Sequence, residues 1–177
     1  MGDAVFNRVK TGGCDTDLPE TLNFKLETAN MKRPFETWIL YLLLVLLAIN
    51  AFYGGMSLML APDGSLLGMQ PGWLDKSPFK SYFIPGVLLL LMNGVLPLLA
   101  LYGLITKNRT WFGWLNIYPN RCWGWGFAVY SGIITNIWRI VQQLMAEYFI
   151  LQTIIAAVGL LILVAALLPR VMRFYTL

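Results

Sequence analysis

The 177 residues are 58% hydrophobic and only 12% charged, and the mean hydropathy is +0.63. A soluble domain of this length keeps a large wetted surface that needs polar side chains, so the composition excludes the soluble class and predicts an integral membrane protein. The chain has no histidine, and its two cysteines, Cys14 and Cys122, lie far apart. Histidine is the commonest general base and metal ligand, so we expect no metal site, no cofactor and no redox cysteine pair.

The first half of the chain divides into a polar segment and two apolar runs. Residues 1–33 are polar, and we expect them to form a cytoplasmic segment outside a transmembrane domain of residues 34–177. The first predicted span covers about residues 38–60 and follows a proline, which fits an early helical position. The second covers about residues 78–106, because Ser77-Pro78 offers an N-cap followed by proline. Each run reaches the roughly 20 residues that a helix needs to cross a bilayer.

Two further spans are predicted at about residues 122–145 and 149–168. No glycine or proline separates them, so a tight turn is expected near residues 146–149. The predicted fold is therefore all-α, an integral membrane four-helix bundle. The long loop of residues 61–81 contains two turn motifs with an apolar stretch, residues 66–69, between them. Two interpretations stay open, a lid that folds onto the helices and a plain connector on the membrane surface.

Lysine and arginine residues are unequally distributed between the loops. Ten lie in the N-terminal segment, the 107–121 loop and the C-terminus, whereas the 61–81 loop has two. Cytoplasmic loops carry the excess of these residues, so both termini are predicted to be cytoplasmic. The expected location is a bacterial inner membrane, that is, a multi-pass plasma membrane protein. Trp123 and Trp125 are expected at its inner interface, where aromatic rings favour the headgroup level.

The third span contains small residues at every fourth position, Gly124, Ala128 and Gly132. Small residues at this spacing predict a surface where another membrane helix packs closely. We interpret the same face as continuing into a polar stripe toward the outer end of the span. The residues of that stripe are Asn136, Arg139, Gln143 and Glu147. Lipid cannot satisfy such side chains, so the third span is expected to lie centrally among the helices.

Arg139 is the most informative polar residue of the span. It lies 17 residues beyond Cys122, or about 26 Å along a helix, which places it near the outer surface. One interpretation is structural: the side chain extends outward and pairs with Glu147, Asp63 or Asp75. The other is functional: Arg139 lies in an outward-facing pocket and binds an anionic headgroup or a carboxylate, which its planar fork suits.

Three asparagines, Asn50, Asn93 and Asn136, are expected at similar depths, where they could form an amide network between helices. Such a network either holds the helices together or lines the pocket. Pro97 should kink the second span and free the carbonyl of Asn93. The candidate ligand-binding residues are Asn50, Asp63, Asp75, Asn93, Asn136, Arg139, Gln142, Gln143 and Glu147.

A series of short motifs runs through residues 50–145. They are Gly54-Gly55, Pro62-Asp63-Gly64, Leu67-Gly68, Ser77-Pro78-Phe79, Tyr82, Ile84-Pro85-Gly86, and Trp138 with Gln142. In this order they resemble a family of small bacterial four-span membrane proteins, and the architecture is similar to the broader DoxX-type four-helix group. The resemblance implies a four-helix membrane fold and carries over no activity. Residues 1–33 lie outside it.

These features leave three functional hypotheses. The favoured one is a non-enzymatic accessory or scaffold subunit, which would dock onto partner subunits or a second copy through the small-residue face and the N-terminal segment. The alternative is a protein that binds or transports a membrane lipid or small amphiphile, although the internal repeat typical of secondary transporters is missing. An intramembrane enzyme is disfavoured, because only Glu147 or a loop aspartate could act as an acid or base. Without a basic cluster, no nucleic-acid partner is expected.

Overall fold

A computed structural model of the chain describes residues 33–69, 72, 78–106, 117–118, 121–145 and 150–176. All of them belong to the second of two units into which the chain divides, Lys32–Leu177. Within these ranges the structure is helical and has no strand, so the all-α prediction is confirmed. The predicted N-terminal segment, apart from its last residue, lies outside the described residues.

The first helix, α1, comprises Phe35–Leu60 and contains eight leucines, which are good helix formers. It ends at Ala61, whose φ of −125° and ψ of 85° reflect the clash that a following proline imposes on the α conformation. A tight turn then leads into a short 3-10 helix, Ser65–Leu67. Gly64 in this turn has a φ of 80°, and a Cβ there would lie 2.9 Å from the ring of Tyr82, so the position requires glycine.

The second helix, α2, comprises Phe83–Thr106. The predicted start at residue 78 is wrong, because the residues before Phe83 are held by the loop. The backbone N–H of Tyr82 donates to the carbonyl of Pro62 at 2.9 Å. The Tyr82 carbonyl in turn accepts the first helical bond, from the N–H of Gly86 at 2.9 Å. The start of α2 is therefore fixed to the end of α1.

A π-helical segment, Leu90–Val95, interrupts the middle of α2. It lies directly before Pro97, which has no N–H to donate to the carbonyl of Asn93. The kink predicted at Pro97 stays a prediction, and the π segment beside it was not predicted. Such segments insert one extra residue into a turn and are frequent at functional sites. The buried Asn93 lies within it.

The remaining helices are α3, Trp123–Met145, α4, Ile150–Leu167, and a short α5, Pro169–Phe174. The predicted turn at residues 146–149 lies outside the described residues. α5 was not predicted. It is separate from α4 because Leu168 precedes a proline and adopts a ψ of 133°, while Pro169 takes the first helical position.

Each of the four long helices packs against two others: α1 and α3 both contact α2 and α4. The closest approaches occur at glycines. A Cβ on Gly55 of α1 would lie 2.9 Å from the carbonyl oxygen of Gly86 in α2. A Cβ on Gly124 of α3 would lie 2.4 Å from the backbone of Gly103 in α2. Missing side chains therefore allow these backbones to touch, as in membrane helix pairs.

The single small-residue face predicted on α3 is wrong. Gly124 packs against α2, whereas Gly132 packs against α4, with its Cβ position 2.6 Å from the side chain of Leu163 and 3.0 Å from the carbonyl of Gly159. Ala128, between them, is fully buried. The reason is geometric: a step of four residues in a helix of 3.6 residues per turn rotates the position by about 40°. Over two steps the small residues move from one neighbouring helix to the other.

The C-terminal residues are fastened to the ends of the helices. The hydroxyls of Tyr41 and Tyr175 lie 2.8 Å apart, and each also contacts the carbonyl of Leu104, at 3.2 Å and 3.3 Å. Burial raises the pKa of Tyr175, so its phenol stays protonated and can donate. The carbonyl of Tyr175 accepts the N–H of Cys122 at 3.0 Å. α1, α2, α3 and the C-terminus therefore meet in one buried cluster.

The two tryptophans predicted at a membrane interface, Trp123 and Trp125, are each only 2% exposed, so their rings contact protein and not lipid headgroups. Their depth in a membrane stays a prediction. Trp123 packs edge-on against Phe127, with ring centroids 5.3 Å apart. The indole N–H of Trp125 donates to the carbonyl of Ala166 in α4 at 2.8 Å. Both rings lie in the core, and the Trp123 ring occupies space beside Gly103, whose Cβ position would lie 2.7 Å from it.

Two helices, α1 and α2, are long and apolar enough to cross a membrane. α1 also exposes a row of large apolar side chains on its outer surface. These include Phe35, Trp38, Leu42, Leu46, Ile49, Tyr53, Met56 and Leu60. In α4 the apolar stretch is shorter, Gln152–Leu167, and α3 is less apolar than the others because it carries the polar residues.

The close approach of α2 and α3 generates a test of stability. We expect Gly124→Ala to lower the midpoint of thermal unfolding in detergent, because its Cβ would meet rigid backbone and overpacking costs about 1–3 kcal/mol. Gly54→Ala is the matched control, since its Cβ would lie 3.4 Å from a side-chain methyl, an ordinary contact. Both changes improve helix propensity equally. Equal unfolding midpoints for the two variants would contradict the packing described here.

Candidate ligand-binding site

A cavity of about 180 Å³ lies between α1, α2, α3 and α4 and is covered by the loop that follows α1. Cavities of roughly 150 Å³ in other proteins hold a benzene molecule, so this one is large enough for a small organic group. Most of its wall is apolar. The apolar side chains come from Leu47, Ala51, Leu58, Leu67, Met69, Leu89 and Ile155.

The polar part of the wall contains four of the candidate residues from the sequence: Asn50, Asn93, Arg139 and Gln142. Two polar residues that the sequence analysis did not select, Trp138 and Gln152, complete it. α1, α2, α3 and α4 each supply at least one polar side chain. The polar groups of four separate helices therefore face a single space.

Arg139 is 4% exposed and is bonded only to neutral side chains in the described part of the chain. Its Nη1 donates to Oε1 of Gln142 at 2.6 Å, and its Nη2 donates to Oε1 of Gln152 at 3.0 Å. The Nε–H is buried and has no partner. The two amides fix the guanidinium at the cavity wall but do not neutralise its charge.

The acidic partners proposed for Arg139 do not neutralise it among the described residues. Asp63 is exposed and absent from the cavity wall, and its carboxylate accepts the backbone N–H of Ser65 at 3.1 Å and the hydroxyl of Ser65 at 2.8 Å. These bonds lower the pKa of Asp63, so the carboxylate is ionised and engaged in its own turn. The pairing with Asp63 is therefore wrong. Asp75 and Glu147 lie outside the described residues.

Asn93 is held by α3. The hydroxyl of Thr135 lies 2.7 Å from Oδ1 of Asn93, and both residues are almost completely buried. This contact orients the amide and leaves its Nδ2 buried without a partner. Thr135 lies four residues, or about 6 Å along the helix, before Arg139. The Asn93 amide therefore contacts α3 one helical turn before Arg139.

The indole of Trp138 also contributes an unused donor. Its Nε1 is buried and has no hydrogen-bond partner, and the residue forms part of the cavity wall. An indole N–H can only donate, and a buried donor without a partner costs about 1–3 kcal/mol. All three buried unpartnered side-chain nitrogens of the described residues, on Asn93, Trp138 and Arg139, thus belong to residues of one cavity wall.

Two candidate residues lie elsewhere. The amide of Asn136 donates to the carbonyl of Gly132 at 2.8 Å in its own helix, and it packs against Gly159 of α4. Gln143 is exposed and absent from the cavity wall. The predicted network of three asparagines is therefore wrong, because Asn136 packs against α4 whereas Asn93 bonds Thr135 of α3.

The loop after α1 covers the cavity, as the lid interpretation predicts. Leu67, Gly68 and Met69 belong to the cavity wall. The N–H of Met69 donates to the carbonyl of Gly64 at 3.0 Å, which holds the covering segment in a compact turn. Residues 70–77, apart from Gly72, lie outside the described residues.

The residues missed by the sequence analysis differ in how they could have been found. Thr135 lies four positions before Arg139 and so shares its helical face, a signal that the four-residue glycine repeat obscured. Trp138 was assigned only to the family resemblance, although it adjoins Arg139. Gln152 could not be placed, because its position depends on the geometry of the turn between α3 and α4.

Comparisons of the chain with family models, with curated proteins and with solved structures find no match. The described residues contain no group of three or more potential metal ligands of the His, Cys, Asp and Glu types. The interpretation of the site therefore depends on its own geometry.

The contact between Thr135 and Asn93 can be tested directly. We expect Thr135→Val, which keeps the shape and removes the hydroxyl, to destabilise the protein by about 1–3 kcal/mol because the Asn93 amide loses its buried partner. Thr106→Val is the matched control. Both hydroxyls bond the carbonyl four residues earlier, at 2.7 Å and 2.8 Å, but Thr106 is exposed. Chemical unfolding in detergent should separate the variants, and equal losses of stability would contradict the assignment.

Proposed function

We propose that the protein is a multi-pass membrane protein that binds a small anionic amphiphile in the cavity beside Arg139. In this proposal the four long helices form a membrane bundle with both termini in the cytoplasm of a bacterial cell. The apolar length of α1 and α2 and the large side chains exposed along α1 support a membrane location. The excess of lysine and arginine on one side supports the orientation.

The observation that carries the proposal is the state of Arg139. A guanidinium that is 4% exposed, bonded to two neutral amides and placed at an apolar cavity has an unfavourable desolvation energy that nothing in the described residues offsets by charge. Buried charges in proteins are normally paired, because the cost of an isolated one is several kcal/mol. A bound anion would supply the missing charge, and an apolar tail would fill the apolar wall.

The orientation places the cavity toward the outer face of the membrane. α1 runs outward in this topology, so its C-terminal half and the loop after it lie at the outer end. Arg139 lies one to two helical turns before Met145, the last residue of α3, and the cost of a charged side chain falls toward the interface. A ligand would then come from the outer leaflet or the outer aqueous phase.

The chemistry of the wall favours binding over catalysis. Besides the largely exposed Tyr53, its polar residues are an arginine, an indole and carboxamides, which hold a ligand and do not exchange protons near neutral pH. The accessory-subunit hypothesis stays a prediction, and the experiment that tests ligand binding also tests it.

Native mass spectrometry of the protein, extracted gently from its own membrane, tests the proposal. We expect the full chain to retain a small amphiphile as a non-covalent adduct, and Arg139→Leu to lose it, because the substitution removes the buried cation. Arg173→Leu is the control, since it removes one arginine from an exposed position outside the cavity.

Three outcomes separate the hypotheses. An adduct that disappears only in Arg139→Leu supports ligand binding. An adduct retained equally by all three proteins contradicts it. A co-purifying protein chain in place of a small molecule would support the accessory-subunit hypothesis. Size-exclusion profiles and far-UV circular dichroism establish that Arg139→Leu is folded.

A further inference from the structure

The cavity wall restricts the charge of the group that it can bind. Among its described residues Arg139 is the single cation, and no lysine or second arginine faces the same space. A phosphate monoester carries a charge of about −1.5 to −2 at neutral pH. One guanidinium would leave part of that charge buried and uncompensated, which is unfavourable in an apolar surrounding. The charge balance therefore favours a monoanion.

The donors of the wall also restrict the shape of the group. The contacts with Gln142 and Gln152 use two of the five guanidinium N–H groups, one on each Nη, and the Nε–H is free. The Nε edge of a guanidinium presents two parallel N–H groups that match the two oxygens of a carboxylate. The Trp138 N–H, on the neighbouring residue, is also buried without a partner, and Trp138 belongs to the same cavity wall.

These donors match a planar acceptor group with two oxygen atoms. The Asn93 amide, one helical turn deeper, offers a further buried hydrogen-bonding group. Around them lie the apolar residues of the wall, among them Leu47, Ala51 and Leu89. A volume of about 180 Å³ holds a headgroup with a few methylene groups. Tyr53 lines the cavity and is 69% exposed, so the wall reaches the surface of α1 there and a longer tail can leave.

From these contacts we propose that the ligand is an aliphatic monocarboxylate, with its carboxylate on the Nε edge of Arg139 and on the Trp138 N–H. The inference rests on the proposed function and makes it specific. It assigns Trp138 and Asn93 to recognition of the headgroup. It assigns Gln142 and Gln152 a positioning role, because they hold the two Nη atoms of the guanidinium and leave its Nε–H without a partner.

Three probes with the same eight-carbon chain test the inference: octanoate, octyl phosphate and octanol. Binding to the full-length protein in phosphatidylcholine nanodiscs is measured by calorimetry at pH 7, where octanoate is ionised. Discs that contain the Arg139→Leu protein give the background from partitioning into lipid. We expect octanoate to bind about tenfold more tightly than either other probe. Only octanoate carries both a single negative charge and two coplanar oxygens that match the paired N–H groups of the guanidinium.

Variants separate fork geometry from charge. Arg139→Lys keeps the cation and removes the planar fork, so we expect it to reduce the octanoate affinity about tenfold, toward that of octanol. Arg173→Lys, at an exposed position, should leave the affinity unchanged. Trp138→Phe keeps an aromatic ring and removes the indole N–H, and it should weaken octanoate by several-fold while octanol binding stays the same.

The outcomes distinguish the inference from the proposed function. If octyl phosphate or octanol binds as tightly as octanoate and depends on Arg139, the carboxylate assignment is wrong and the ligand site stands. If the Arg139→Lys protein binds octanoate with full affinity, recognition of the carboxylate by the planar guanidinium is also wrong. If octanoate shows no Arg139-dependent binding, the inference fails, and the native mass spectrum then decides the proposed function: an adduct that depends on Arg139 preserves it, and no such adduct overturns it as well.

Discussion

The register between α2 and α3 is the constraint on which the rest of the structure depends. It is set where the backbones touch at Gly103 and Gly124, a contact that only glycines permit. Ten to eleven residues farther along the two antiparallel helices, Asn93 meets Thr135 at 2.7 Å. A separation of ten to eleven residues corresponds to about 15–17 Å at the rise of an α-helix. A shift of one helix by a single turn would leave both buried polar groups without each other.

This register also explains why the polar cavity lies at one end of the helices. On the side of Gly103 and Gly124 the space is filled by tryptophan rings and by the Tyr41–Tyr175 pair. On the other side the π segment of α2 displaces the backbone, and the loop after α1 closes over the gap. Dense packing at one end makes the helices rigid, and this rigidity can keep the cavity open at the other end.

Several parts of this arrangement could be predicted from the sequence, and the reasons for the rest are physical. The helical class, the approximate bounds of the long helices and the involvement of Asn50, Asn93, Arg139 and Gln142 in one wall follow from hydropathy and from the rarity of polar residues in apolar helices. The sequence does not show as easily which neighbouring helix each residue faces. A four-residue repeat resembles a helical face over one or two turns, but it rotates away from that face along a longer helix.

Other features depend on tertiary context. The late start of α2 results from a backbone bond between Tyr82 and Pro62, which no local propensity encodes. Gln152 reaches Arg139 from another helix, so its role depends on how the chain turns between α3 and α4. Trp123 and Trp125 have the composition of an interface belt, and only the neighbouring helices show that they are buried. In each case the missing information is a contact between residues distant in sequence.

The unpartnered donors link stability to binding. Buried N–H groups on Asn93, Trp138 and Arg139 each cost about 1–3 kcal/mol while they lack an acceptor, and domains have only about 5–15 kcal/mol in total. A fold that served packing alone would gain stability by replacing these side chains with apolar ones of similar volume, as happens when buried ion pairs are replaced. A ligand that satisfies the same donors would return that free energy as affinity. The polar wall is therefore a cost that a bound acceptor would offset, which is the physical basis for the proposal that the cavity binds a ligand.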